Sequence, residues 1–170
     1  MSELTGDWNK IFETLNTMRL QYALLQTAEK AGNYGASEVK KGIQSGSPGG
    51  KDFQKLHSFT VGRKGSSKPL IDKGDLIGSI TYIVKDRDNV AIGVKKGEAG
   101  KIAAVHEFGC TIAVTPKMRA YLHGIGLHLR ASTTHINIPP RPFLRPVLMS
   151  DKFQRKIGEL YFQALREVFR

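Results

Sequence analysis

Residues 138–146 (IPPRPFLRP) constrain this chain more than any other stretch, because they hold four of its seven prolines. Each proline fixes its own φ and removes a backbone donor. Each also drives the residue before it toward extended geometry. The stretch can therefore be neither helix nor central strand. It is expected to run as a stiff extended strap between residues 133–137 and a helix opening at Ser150. Phe143 and Leu144 are expected to press into an apolar surface, with Arg141 and Arg145 facing outward.

A chain of 170 residues suits one domain, long enough for a sizeable core. Its 18 glycines predict long loops. The expected layout is a single domain over 1–170. It has an N-terminal helical region at 1–45, a flexible loop at 46–69, and an α+β core with a C-terminal helix at 70–170. The net charge of +11 favours nucleic acid, an acidic protein surface or anionic lipid as a neighbour. The single cysteine, Cys110, rules out an internal disulfide and fits a reducing compartment. The acidic first residues lack the apolar region of a secretory signal. No run approaches the roughly 20 apolar residues of a membrane helix. An intracellular product without membrane partners is the expectation.

Trp8, Ile11, Leu15, Met18, Tyr22 and Leu25 recur at spacings of three and four, a heptad-like stripe on a helix starting near Asp7. The stripe is expected to pack on the domain or on a neighbouring copy, until Gly32 and Gly35 interrupt the pattern. Residues 37–41 could add a short second helix. Residues 42–69 are poor in structure by composition, with Phe53, Leu56, Phe59 and Val61 able to pin the loop down. Residues 76–84 and 90–94 predict a hairpin about a charged turn. Residues 101–108 predict a short helix stopped by Gly109. Residues 111–115 predict a third strand ended by Pro116, with one helical turn at 118–122. Residues 124–130 and 133–138 suggest a further hairpin or an extended excursion. Ser150 is an N-cap candidate for an amphipathic last helix carrying Phe153, Ile157, Leu160, Tyr161, Ala164, Leu165 and Val168. The fold class is α+β: a small antiparallel sheet packed by an N-terminal and a C-terminal helix, with long loops.

Little in this order of residues argues for catalysis. His106 and Glu107 are adjacent, so on a helix they point about 100° apart and do not converge on one small site. A zincin would need histidine at position 110, where Cys110 stands. His106, Cys110, His123 and His128 match no standard zinc spacing. Residues 49–51 mimic a phosphate loop, but Ser45 and Asp52 break the motif. No cofactor is expected. The basic residues are the positive signal, yet they are spread along the chain rather than gathered on one helix. Such charge can simply be solvated, or it can line a channel carrying DNA through many weak phosphate contacts.

Several strings occur in a particular order: SPGG at 47–50, LIDKGDLIGSI at 70–80, VAIGV at 90–94, AAVHEFG at 103–109 and IPPRPFL at 138–144. In that order they resemble the phage virion morphogenesis and tail-completion proteins, the group that includes Mu-type and HK97-type neck or tail-joining proteins. The likeness runs from about Ser47 to the end. Lys73 stands where threonine is common in that family, and the N-terminal helix matches in type alone.

The resemblance implies a structural, non-enzymatic role late in virion assembly, in the neck or tail, where rings of subunits meet the tail tube and DNA passes through. Implied partners are copies of the chain in a cyclic homo-oligomer such as a hexamer. Head-completion or connector proteins, tail-tube or tail-terminator proteins and the genomic DNA complete the set. Ring closure needs two different complementary patches per subunit. Candidate interface residues are Trp8, Ile11, Leu15, Arg141, Phe143, Leu144 and Arg145. Candidate residues facing a DNA channel are Lys95, Lys96, Lys117 and Arg119. Two alternatives stand beside this reading. One is a basic nucleic-acid-binding protein without catalytic activity. The other is a hydrolase or metalloenzyme using His106, Glu107 and Cys110.

Overall fold

Helix α1 (Met18–Ser45) is the spine of the molecule. The computed structural model describes residue 13 and residues 17–169. The expected helix start near Asp7 and the interface candidates Trp8, Ile11 and Leu15 lie outside them. Thr17 caps α1 by accepting from the Leu20 amide, and Gly46 ends it in the left-handed conformation.

α1 does not break at Gly32 and Gly35, contrary to the expectation, and residues 37–41 continue it rather than forming a second piece. A glycine inside a helix costs about 1 kcal/mol relative to alanine. Here the cost is offset by closeness. A Cβ on Gly32 would collide with the Tyr82 ring, and one on Gly35 with Ile92 and, at 3.2 Å, with the Phe153 ring. The glycines let the hairpin and the last helix pack directly on the spine.

That hairpin is β1 (Ile80–Asp86) and β2 (Asn89–Val94), antiparallel, with Ile80 opposite Val94 and Tyr82 opposite Ile92. The β-branched run at 80–84 suits a half-buried pleated strand. Residues 76–79 are not strand as expected. They belong to a short helix, α3 (Asp75–Ser79), which follows Gly74 in the left-handed region and buries Leu76. Residues 46–69, expected as a flexible loop, hold a 3₁₀ turn (Pro48–Gly50) and helix α2 (Ser58–Lys64).

Helix α4 (Glu98–Phe108) stops at Gly109 as expected, but opens three residues before the predicted start. Strand β3 (Cys110–Ala113) follows. Pro116 does more than end the strand. It is the first residue of α5 (Pro116–Gly124), capped by Thr115, where a missing N–H is harmless. β3 pairs with β4 (His135–Ile138), so residues 124–130 and 133–138 do not form a hairpin with each other. The strap leads into α6 (Arg145–Leu148) and then α7 (Asp151–Val168). Ser150 caps α7 by accepting from the Phe153 amide.

The architecture is α+β, with α1 and α7 packed on the β1–β2 hairpin and a second two-stranded sheet beside it. Tyr34 of α1 and Phe153 of α7 stack at 5.7 Å between centroids. The core gathers Val39 and Ile43 of α1, Leu76, Ile80, Ala103, Phe143 and Val147. Burying one such large side chain contributes roughly 1.5–3 kcal/mol.

The described part of the heptad-like stripe is not on the core face. Met18, Tyr22 and Leu25 are 89%, 65% and 42% exposed, whereas Leu20, Ala28, Ala31, Ala36, Val39 and Ile43 are buried. Among the described residues no helix is long and apolar enough to cross a membrane.

Candidate functional site

The prolines of the strap leave four N–H groups between residues 139 and 146, those of Arg141, Phe143, Leu144 and Arg145. All four are taken by two consecutive residues at the end of α4. The Arg141 amide donates to the His106 carbonyl at 2.6 Å. That carbonyl lies in the last turn of its helix, where no helical partner is available. The Phe143 and Leu144 amides donate to Glu107 Oε2 at 2.8 and 3.1 Å, and the Arg145 amide donates to Oε1 at 3.0 Å. One carboxylate thus holds three successive amides, just where the chain enters α6. Charge-assisted bonds of this kind are about twice as strong as neutral ones.

This latch sets the direction of the strap side chains. Phe143 is fully buried and leaves no surface for a neighbour. Arg141, expected to face out, is buried instead. Its Nε donates to the Gln54 carbonyl at 3.0 Å and its Nη2 to the Lys55 carbonyl at 3.3 Å. Those two carbonyls belong to an irregular stretch with no helix or sheet partner of its own, so the guanidinium does the work of secondary structure. Burial without an acidic partner pushes the Arg141 guanidinium below its ordinary value. Arg145 is exposed as expected, and Leu144 is half-buried against the core.

The 3₁₀ turn of the SPGG string meets the far end of the strap. Pro48 is fully buried, and Gly49 sits at φ 61° so close to Pro146 that a Cβ there would strike its carbonyl. Only glycine serves at such a place. SPGG, HEFG and the proline strap therefore form one contiguous unit, with Leu76 of the KGDL string in the same core cluster as Phe143.

The His106 imidazole points elsewhere. It lines a cleft of about 560 Å³ between α2, α3 and α4, walled by Leu56, Phe59, Leu70 and Ile102. His106 Nδ1 is buried there without a hydrogen-bond partner among the described residues. Burial, and then the neighbouring Arg141 charge, lower its pKa, which favours the neutral ring. Leu70, on the wall, holds a positive φ of 60°, a strained choice for a branched side chain. Arg63, Lys64 and Lys73 stand on the lining with Asp72 and Asp75.

The other sequence candidates fall in separate places. Lys95 and Lys96 are exposed after β2, and Lys117 is exposed at the start of α5. Arg119 is half-buried, and its guanidinium donates to the carbonyls of Leu129, Arg130 and Thr133. It clamps the 125–134 loop rather than standing free for phosphate. His123 and His128 meet edge to face at 4.4 Å. Among the described residues no three His, Cys, Asp or Glu side chains gather as a metal site.

Sequence reasoning missed Glu107 and the burial of Arg141. One signal for Glu107 was present: an acid in the last turn of a helix opposes the helix dipole and calls for a partner elsewhere. Comparison with protein-family models, with curated proteins and with solved structures gives no match.

Proposed function

We propose that this chain is a non-catalytic structural protein of a tailed bacteriophage virion, acting in tail completion and head–tail joining as a ring-forming neck component around the DNA channel. The observation that carries the reading is the latch. Three of the five strings on which the resemblance rests, SPGG, AAVHEFG and the proline strap, hold one another through Glu107, the strap amides and the Gly49–Pro146 contact. The work of such a unit is to fix the strap and α6 rigidly on the core. A surface fixed in advance loses little conformational freedom when a neighbour docks on it. Arg145 and the exposed Met149 beside it are presented from that rigid base.

The partners are other copies of the chain, the head-completion or connector proteins, the tail-tube or tail-terminator proteins, and the DNA that passes through. The test is reconstitution. Heads and tails from a phage lacking this product are mixed with purified chain, and joined particles are counted by electron microscopy and plaque titre. Joining restored by the added chain is expected. A chain that stays monomeric and associates with neither heads nor tails would defeat the proposal.

A second reading, a basic nucleic-acid-binding protein, is favoured by the exposed lysines Lys95, Lys96 and Lys117 and the +11 charge. It requires DNA affinity that falls steeply with salt. Affinity that is absent or insensitive to salt disposes of it.

A further inference from the structure

Two apolar features are left open among the described residues. The first is the α1 stripe of Met18, Tyr22 and Leu25, which borders a shallow groove with the tip of the β1–β2 hairpin. That tip carries Asp86 and Asp88, both exposed. Arg87 between them donates to Gln21 on the same groove, so two carboxylates against one guanidinium leave the edge one negative charge in excess. A hydrogen bond between the carboxyls lowers the pKa of Asp86 and raises that of Asp88, and the Arg87 charge between them acts to lower both. The second feature is the cleft beside α2. Its walls are apolar, and three cations against two carboxylates leave one positive charge in excess on its lining. Lys73 is exposed there.

The two lie toward opposite ends of α1. The cleft adjoins Leu76, which shares a core cluster with Val39 and Ile43. Leu25 and Val39 are 14 positions apart on one helix, about 21 Å at 1.5 Å per residue. An apolar patch with one negative charge in excess and an apolar cleft with one positive charge in excess are complementary to each other. Setting stripe against stripe would bring two edges of net negative charge together, which is unfavourable. A contact between unlike patches is heterologous, and repeated about an axis it closes into a ring.

We infer that Met18, Tyr22 and Leu25 of one copy seat in the cleft of the next, with Asp86 and Asp88 meeting Arg63 and Lys73 at its rim. The inference rests on the ring reading and names its interface. The strained Leu70 on the cleft wall suits a surface completed by a neighbour.

The test uses full-length chain followed by native mass spectrometry and light scattering. A stripe variant (Met18→Ser, Tyr22→Ser, Leu25→Ser) and a rim variant (Arg63→Glu, Lys73→Glu) are compared with wild type. Each alone is expected to be monomeric where wild type assembles, with the assembly concentration raised at least about tenfold. Mixed in equal amounts they are expected to give a dimer and nothing larger, because each dimer is left with a dead face at both ends. Combining Asp86→Lys and Asp88→Lys with the rim changes in one chain is expected to regain assembly. The single exposed-site changes Lys73→Glu and Asp88→Lys serve as judges should a multiple variant fail to fold. Folded variants that assemble like wild type overturn this interface and leave the ring reading standing. A rim variant that still dimerises while the stripe variant does not shows a stripe-to-stripe contact, and also overturns it. Wild-type chain monomeric at every concentration overturns this interface, and reconstitution with heads and tails then decides the ring reading.

Discussion

Replacing Glu107 by alanine strips the acceptor from three successive strap amides, at 2.8, 3.1 and 3.0 Å. A hydrogen bond to a charged group contributes roughly 1.5–3 kcal/mol. Three of them do not add fully, since the Arg145 amide is exposed and water can replace the carboxylate there. The Phe143 and Leu144 amides are less accessible, and an orphaned buried N–H costs about 1–3 kcal/mol. The loss expected for Glu107→Ala is therefore about 3–5 kcal/mol. For a domain of this size, each kcal/mol moves the melting temperature by roughly 2–4 °C, so a drop of about 6–20 °C follows. Urea unfolding should show a lower midpoint with an unchanged slope. Glu107→Gln keeps a neutral carbonyl acceptor and should fall about midway. Glu98→Ala is the control: it removes an exposed acid paired with Lys101 at 2.8 Å in the same helix, and should cost under about 0.5 kcal/mol. If Glu107→Ala also lies within about 0.5 kcal/mol of wild type, the latch does not hold the strap and the argument built on it fails.

Four further outcomes follow from the same structure. Arg141→Ala should destabilise by about 2–4 kcal/mol and open residues 51–57 to limited proteolysis, because the Gln54 and Lys55 carbonyls lose their donor. Gly32→Ala should cost about 1–3 kcal/mol despite the gain in helix propensity, whereas Gly158→Ala, with open space around its Cβ, should stabilise by about 0.5–1 kcal/mol; thermal melts compare the two. His106 has its folded pKa depressed by burial, so the unfolded state binds its proton more readily. Its contribution is fully present above the unfolded value of about 6.5 and is lost as pH falls from there toward the lower folded value; His106→Gln should flatten stability against pH in that window, read by urea midpoints. Arg119→Ala should release the 125–134 loop, seen as faster amide exchange at Arg130 and Thr133.

Where pattern and local chemistry decide the structure, reading the chain succeeds. The β-branched run opposite Val90–Val94 gives the hairpin. Ser150 before an amphipathic run gives α7, and Gly109 gives the end of α4. The prolines keep residues 139–144 out of helix and strand, but Ile138 ends β4 and Arg145 and Pro146 open α6, where a proline in the first turn is harmless. The failures share a cause, partners distant in sequence. Gly32 and Gly35 look like breakers until Tyr82 and Ile92 are set against them. Arg141 looks like a surface charge until residues 54 and 55 bring their carbonyls to it. β4 looks like half of a local hairpin, yet its partner β3 lies more than twenty residues upstream. Glu107 resembles any solvated acid until the strap arrives. The stripe on α1 shows a further difficulty: periodicity reveals that a face is apolar, not whether its own domain covers it.

The proposed role of this polypeptide as a building part of a virion neck is tested by cryo-electron microscopy of particles carrying a labelled copy of the chain. A closed ring of label is expected where head meets tail, with heads lacking joined tails when the gene is removed. Complete, infectious particles formed without the chain, or label found away from that junction, would contradict it.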